Sequence, residues 1–197
     1  MTKLLRDIFT LDLLEWSPWI ERAGDTDLEP EQRAKVEAYV GSTPNADYIG
    51  VLANDFEALL ARASVHRHVY ATAGPEAGAH RELGATTASR INGCVFCASV
   101  HSRMYANYSK NRDVAQRFLD EGVDAHLPPV ERAVVDLAAK ITRDPESLNQ
   151  ADLEPLRALG FDDLGFLDVI NYTAFFANAN RLMLTLGEPK IPARTTA

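Results

Sequence analysis

Residues 91 to 105, INGCVFCASVHSRMY, hold both cysteines of the chain and one of its five histidines. Cys94 and Cys97 are spaced C-x-x-C, and His101 follows four residues after the second. A disulfide staple, half of a metal site and a redox centre all use this spacing. If Cys94 opens a helix, Cys97 lies one turn on and about 60° around the axis. His101 then lies a further turn along, on nearly the same face as Cys97. A thiol in the first turn meets the positive end of the helix dipole and unpaired backbone N–H groups, and both favour thiolate. Placement alone therefore makes Cys94 the more readily ionised thiol. An imidazole changes charge near neutral pH, so His101 is a candidate proton donor or acceptor. Glu82 precedes Cys94 by twelve residues, and a turn at Asn92-Gly93 can fold its helix back beside the cysteines. A buried carboxylate next to an imidazole would complete a relay from thiol to solvent.

Other readings compete with this one. Two cysteines on one helix can be plain buried thiols. A zinc site from Cys94, Cys97, His101 and Glu82 has acceptable ligand types, but a helical C-x-x-C lacks the knuckle turn that zinc usually occupies. His66, His68 and His80 read as ordinary helix-surface or interface residues, and Tyr105 and Tyr108 as packing residues. The aromatic run YTAFFANANRL suits a hydrophobic pocket, yet such a helix is more often core or oligomer interface, and it stays outside the candidate site.

The elements that must position these residues read as helices throughout. Prolines and glycines cut the chain into helical lengths, and no stretch alternates apolar and polar residues as a half-buried strand does. An N-terminal arm over 1–43 is broken at Ser17-Pro18 and contains a short helix over 28–40; residues 44–197 form the helical domain with the C-x-x-C segment. The arm's Trp16 and Trp19 are expected to reach a neighbouring copy. A long helix is expected from about Ala46 to Thr72, with Ile49, Leu52, Phe56, Leu59, Leu60 and Ala63 on one stripe, ended by Gly74-Pro75. Helices follow from about Glu76 to Ile91 and from Cys94 to about Asn107. A short one is closed by Gly122, another opens at Pro128, one is capped at Asn149, and a last long one runs from Asp162 to Gly187. The fold class is all-α, with about eight helices and no strands.

With 197 residues, 46% of them apolar, the chain can bury a real core as one domain. The balance of 20 Lys and Arg against 28 Asp and Glu gives a formal charge of −8, which makes nucleic acid and anionic membrane poor partners. Asp7, Asp12 and Glu15 interrupt the apolar N-terminal residues, so neither a signal-peptide core nor a membrane span is expected. A cytoplasmic location follows, where a lone C-x-x-C is catalytic or metal-binding before it is a structural disulfide.

The pattern E-x11-C-x2-C-x3-H, met by Glu82, Cys94, Cys97 and His101, resembles the signature of the AhpD-like alkylhydroperoxidase branch of the carboxymuconolactone decarboxylase superfamily. The resemblance is densest over 78–110, where RELGATTASRINGCVFCASVH is similar to the peroxidase-related branch, and runs more loosely to NRLMLTLGEP. It implies an AhpD-like helical bundle, homo-oligomers, and thiol peroxidase chemistry without haem or metal. The partners implied are a hydrogen peroxide or alkyl hydroperoxide substrate and a dihydrolipoamide-type dithiol reductant. Carried over by position, Cys97 attacks the peroxide, Cys94 resolves the sulfenic acid as a disulfide, and Glu82 with His101 forms the proton relay. This reverses the order that helix placement gives the two thiols; His101, four residues on, faces Cys97 and favours the family order. Phe96 stands where some members carry a histidine. Two alternatives remain: a general dithiol-disulfide oxidoreductase, and a redox-sensing or assembly protein switched by a Cys94–Cys97 disulfide.

Overall fold

Nine α-helices and a two-stranded sheet are present among the described residues, 8–24, 27–41, 45–70 and 74–192 of the computed structural model. In chain order they are β1 (Glu15–Pro18), α1 (Pro30–Val40), α2 (Ala46–Leu52), α3 (Phe56–Tyr70), α4 (Gly74–Asn92), α5 (Val95–Ser109), α6 (Arg112–Glu121), α7 (Pro129–Arg143), α8 (Glu154–Ala158), α9 (Asp163–Leu186) and β2 (Gly187–Lys190). The all-α class holds, with the small sheet as its one exception.

Helix α4 is the centre of the bundle and packs against α5, α7 and α9. Small side chains make that possible. Ala85, Ala88, Thr87 and Ser89 are wholly buried, and a helix closed in on all sides needs such residues to admit its neighbours. Its buried hydroxyls are satisfied within the helix: Thr86, Thr87 and Ser89 donate to the carbonyls of Glu82, Leu83 and Ala85 at 2.7 to 2.8 Å. The closest approach is at Gly84, where a Cβ would stand 2.7 Å from Thr173 Oγ1 of α9.

Caps set several helix ends where the sequence places them. Asn111 accepts from Val114 N–H at the start of α6, and Asp162 accepts from Gly165 N–H at the start of α9. Asn149 caps a 3₁₀ turn, Gln150–Leu153, that leads into α8. Between α4 and α5 the chain turns at Gly93, whose φ of 78° is the left-handed conformation that glycine adopts without a Cβ clash.

Four expectations are corrected. The helix expected over 46–72 is two helices, because Asp55 accepts from Ala58 N–H and caps α3, while Asn54 Nδ2 bonds the carbonyls of Val51 and Glu21. Gly74 and Pro75 do not end a helix but lie in the first turn of α4, where a proline's missing N–H costs nothing; the expected helix end at 71–72 lies outside the described residues. The N-terminal segment is not free of strand: β1 pairs antiparallel with β2, with Trp16 opposite Pro189. Trp16, expected to contact a neighbouring copy, is 4% exposed within its own chain, where it meets Tyr48 edge-on and donates from Nε1 to the Met183 carbonyl at 3.2 Å.

The apolar interior falls into adjoining groups. One, with Phe118, Val134, Val135, Leu156 and Val169 wholly buried, joins α6 to α9. Another gathers Trp16, Tyr48 and Ile49 around Cys94, Cys97 and Met183, and a third holds Tyr172 and Phe176 against Ala85. Both cysteines therefore belong to packed core.

Candidate active site

Cys94 is the N-cap residue of α5 and Cys97 is its third helical residue. The N–H of Cys94 donates to the Ser89 carbonyl at 2.9 Å, which ties the turn to the end of α4. Both are free thiols, each 3% exposed, and their Sγ atoms stand 2.7 Å apart. One turn further along α5, His101 is buried and its Nδ1 lies 2.7 Å from Glu82 Oε2 on α4. The second oxygen, Oε1, accepts from the Tyr172 hydroxyl of α9 at 2.7 Å. A carboxylate only accepts, so toward an ionised Glu82 the Nδ1 of His101 is the donor, and in the neutral ring Nε2 is then the acceptor. Glu82 itself is 2% exposed, and both of its partners are buried as well.

All four residues singled out in the sequence are thus brought together in two pairs, Cys94 with Cys97 and Glu82 with His101. Cys97 and His101 also line one cleft of about 670 Å³, whose wall does not include Cys94 or Glu82. The cleft sees the second cysteine of the motif, with the first behind it.

Burial pushes the Cys97 thiol well above its ordinary range, and contact with Cys94 adds to the rise. A hydrogen bond from the Asn180 side chain and the charge of Arg62 act the other way. Tyr172 is raised as well, first by burial and then by the charge of Glu82, and so stays a proton donor to that carboxylate.

The residues that sequence reading left out come mainly from α9. Phe176 packs its ring against His101 with centroids 3.9 Å apart. Met183 Sδ lies 3.3 Å from Cys97 Sγ. Asn180, wholly buried, is held by its own partners: Nδ2 donates to Ser89 Oγ at 3.0 Å, and Oδ1 accepts from Asn92 Nδ2 at 3.1 Å. Tyr172, Phe176, Asn180 and Met183 recur at helical spacing on one face, so YTAFFANANRL belongs at the site. An asparagine in the middle of an apolar helix was the available signal, since a buried amide needs partners. His66 is also misread as an ordinary histidine: it lines the cleft, between Tyr39, Tyr70 and Phe175. Burial lowers its pKa to about 4, with the charges of Arg62 and His101 adding to the effect. Among the described residues no three His, Cys, Asp or Glu side chains gather as a metal site.

Residues 66–140 match the family model described as the Carboxymuconolactone decarboxylase family, a span that includes Glu82, Cys94, Cys97 and His101. The fold is shared with the alkylhydroperoxidase AhpD core of an uncharacterized peroxidase-related protein from Ralstonia eutropha JMP134, at a TM-score of 0.73 and 25% identity, over 86% of this chain and 90% of that one. An uncharacterized peroxidase-related protein from Silicibacter sp. TM1040 is similar to the same extent, with a TM-score of 0.70 and 25% identity over 86% and 92% of the two chains. No curated protein matches the sequence.

Proposed function

We propose, from the premise that the chain is an AhpD-like member of the carboxymuconolactone decarboxylase superfamily, that it is a thiol-dependent peroxidase. The observation that carries this reading is the pairing of Cys97 and His101 on one cleft wall, with Cys94 Sγ 2.7 Å behind the first and Glu82 Oε2 2.7 Å behind the second.

The Cys97 thiol passes its proton to His101 Nε2, whose other nitrogen is steadied by Glu82. The thiolate attacks the outer peroxide oxygen, the O–O bond breaks, and Cys97 becomes a sulfenic acid while the alkoxide takes the proton back and leaves as alcohol. Cys94 then displaces the sulfenic oxygen as water and forms the Cys94–Cys97 disulfide. A dithiol of the dihydrolipoamide type returns two electrons and two protons and is itself oxidised to a disulfide.

The raised Cys97 thiol is compatible with this chemistry because the proton acceptor stands one turn along the same cleft wall and Asn180 hydrogen-bonds the thiol; thiolate is made at the moment of reaction rather than held in store. The same burial favours a second reading, a redox switch that oxidises once and changes the protein's assembly. Peroxide consumption with dihydrolipoamide, followed over many equivalents of enzyme, separates them. Repeated turnover is expected. A single stoichiometric oxidation supports the switch and overturns the peroxidase reading.

A further inference from the structure

The cleft in front of Cys97 is far larger than hydrogen peroxide needs. Its volume of about 670 Å³ compares with roughly 30 Å³ for one water and falls inside the roughly 300–1,000 Å³ of organic-ligand pockets. Its walls are largely apolar, with Ile49, Leu60, Phe96, Met104 and Phe176 among them. The charged side chains of the lining are Lys35, Arg62 and Arg67, and no Asp or Glu is among its described residues. In a chain of formal charge −8 that is a local reversal of sign. Lys35 already pairs with Glu31 at 2.8 Å.

Arg62 is different. It is half-buried, forms no ion pair among the described residues, and spends one Nη1 hydrogen bond on the Tyr39 hydroxyl at 2.7 Å. Its guanidinium carbon stands 4.8 Å from the Phe175 ring centre and 5.2 Å from that of Tyr48. Its Nε is buried with no hydrogen-bond partner among the described residues. A guanidinium stacked on rings is weakly hydrated and offers a planar fork that matches a carboxylate. Cation, apolar wall and reactive sulfur thus share one cleft.

We propose that the cleft takes an organic hydroperoxide whose apolar body carries a carboxylate, and that Arg62 holds the carboxylate while the peroxide group reaches Cys97. The assignment rests on the peroxidase reading and names its substrate class. The bonds made and broken are those already given; the carboxylate does not react.

The test compares linoleic acid hydroperoxide with its methyl ester, with dihydrolipoamide as reductant, in the wild-type chain and in Arg62→Met and Arg62→Lys. Wild type should favour the acid by roughly 10- to 100-fold in kcat/KM, the scale of one charge-assisted hydrogen-bonded contact. Arg62→Met should lose the preference and Arg62→Lys keep part of it. Equal rates for acid and ester in wild type overturn the assignment whatever the variants do. Binding of laurate to the reduced protein, followed by calorimetry, is measured alongside and does not depend on turnover. Laurate binding that persists undiminished in a folded Arg62→Met protein also overturns it. If laurate binds through Arg62 while the two hydroperoxides react equally, the carboxylate site serves another ligand, such as an acidic dithiol, and the substrate assignment is wrong. Failure of every hydroperoxide to turn over, hydrogen peroxide included, instead removes the peroxidase reading.

Discussion

At the scale of single residues, the site separates two sulfurs that are alike in burial and unlike in what they face. Cys97 is on the cleft and Cys94 is not, so Cys97→Ser should abolish the reaction with peroxide. Cys94→Ser should still give one oxidation and stop at sulfenic acid, which mass spectrometry after dimedone trapping would show. Retention of the peroxide reaction in Cys97→Ser, with its loss in Cys94→Ser, would reverse the roles of the two thiols. Because burial holds the Cys97 thiol above its ordinary range, the thiolate fraction grows as pH rises, and the peroxide rate should climb on the alkaline side. Asn180→Ala removes a group that pulls the thiol down, so its rate profile should lie at still higher pH. Glu82→Gln and His101→Ala should keep both thiols titratable but slow the peroxide step by roughly 10²- to 10⁴-fold, read by stopped flow. Unchanged rates in both would remove the relay.

At the scale of helices, the contact between α4 and α9 decides whether Tyr172 meets Glu82. Gly84→Ala would drive a methyl to 2.7 Å from Thr173 Oγ1, next to Tyr172, and either the Thr173 hydroxyl turns away or the helices part to admit it. The expected loss is about 1–3 kcal/mol in urea unfolding, with a slower peroxide step. Full activity with full stability would mean that the two helices are not held at that spacing. This scale also shows what the sequence could reveal. Glu82, Cys94, Cys97 and His101 were legible because they sit on consecutive helices joined by the Asn92-Gly93 turn, so local spacing was enough to bring them together. The α9 side chains were not, since Tyr172 is 90 positions from Glu82 and only packing decides which face of an apolar helix meets which neighbour. The break before α3 was written in Asn54-Asp55, two good capping residues ahead of Phe56, but a continuous apolar stripe on both sides concealed it. The strand segments EWSP and GEPK carry no alternation, and each forms only because the other lies beside it.

At the scale of the whole molecule, α9 turns one face to the site and leaves Leu164 and Leu167, one turn apart near its start, exposed. Exposed leucines along a long helix are best covered by a second copy, so light scattering at micromolar concentration should give a multiple of the 21.7 kDa chain mass. A monomer would count against self-association. No helix of the described residues is long and apolar enough to cross a membrane, so these leucines do not belong to a spanning segment.

The strand that closes the molecule also gives it an optical signal. Trp16 in β1 bonds the Met183 carbonyl, and the sulfur of Met183 touches Cys97, so one residue lies between the indole and the reactive thiol. Of the two tryptophans, Trp19 is 55% exposed and far more solvated. Oxidation of Cys97 alters the packing and polarity that the Trp16 chromophore feels, and its emission should change in step with the chemistry. Adding one equivalent of peroxide should shift intrinsic fluorescence in the wild-type chain and in Trp19→Phe, and leave Trp16→Phe silent. The protein would then report its own redox state without a dye, and single-turnover kinetics could be followed by light alone.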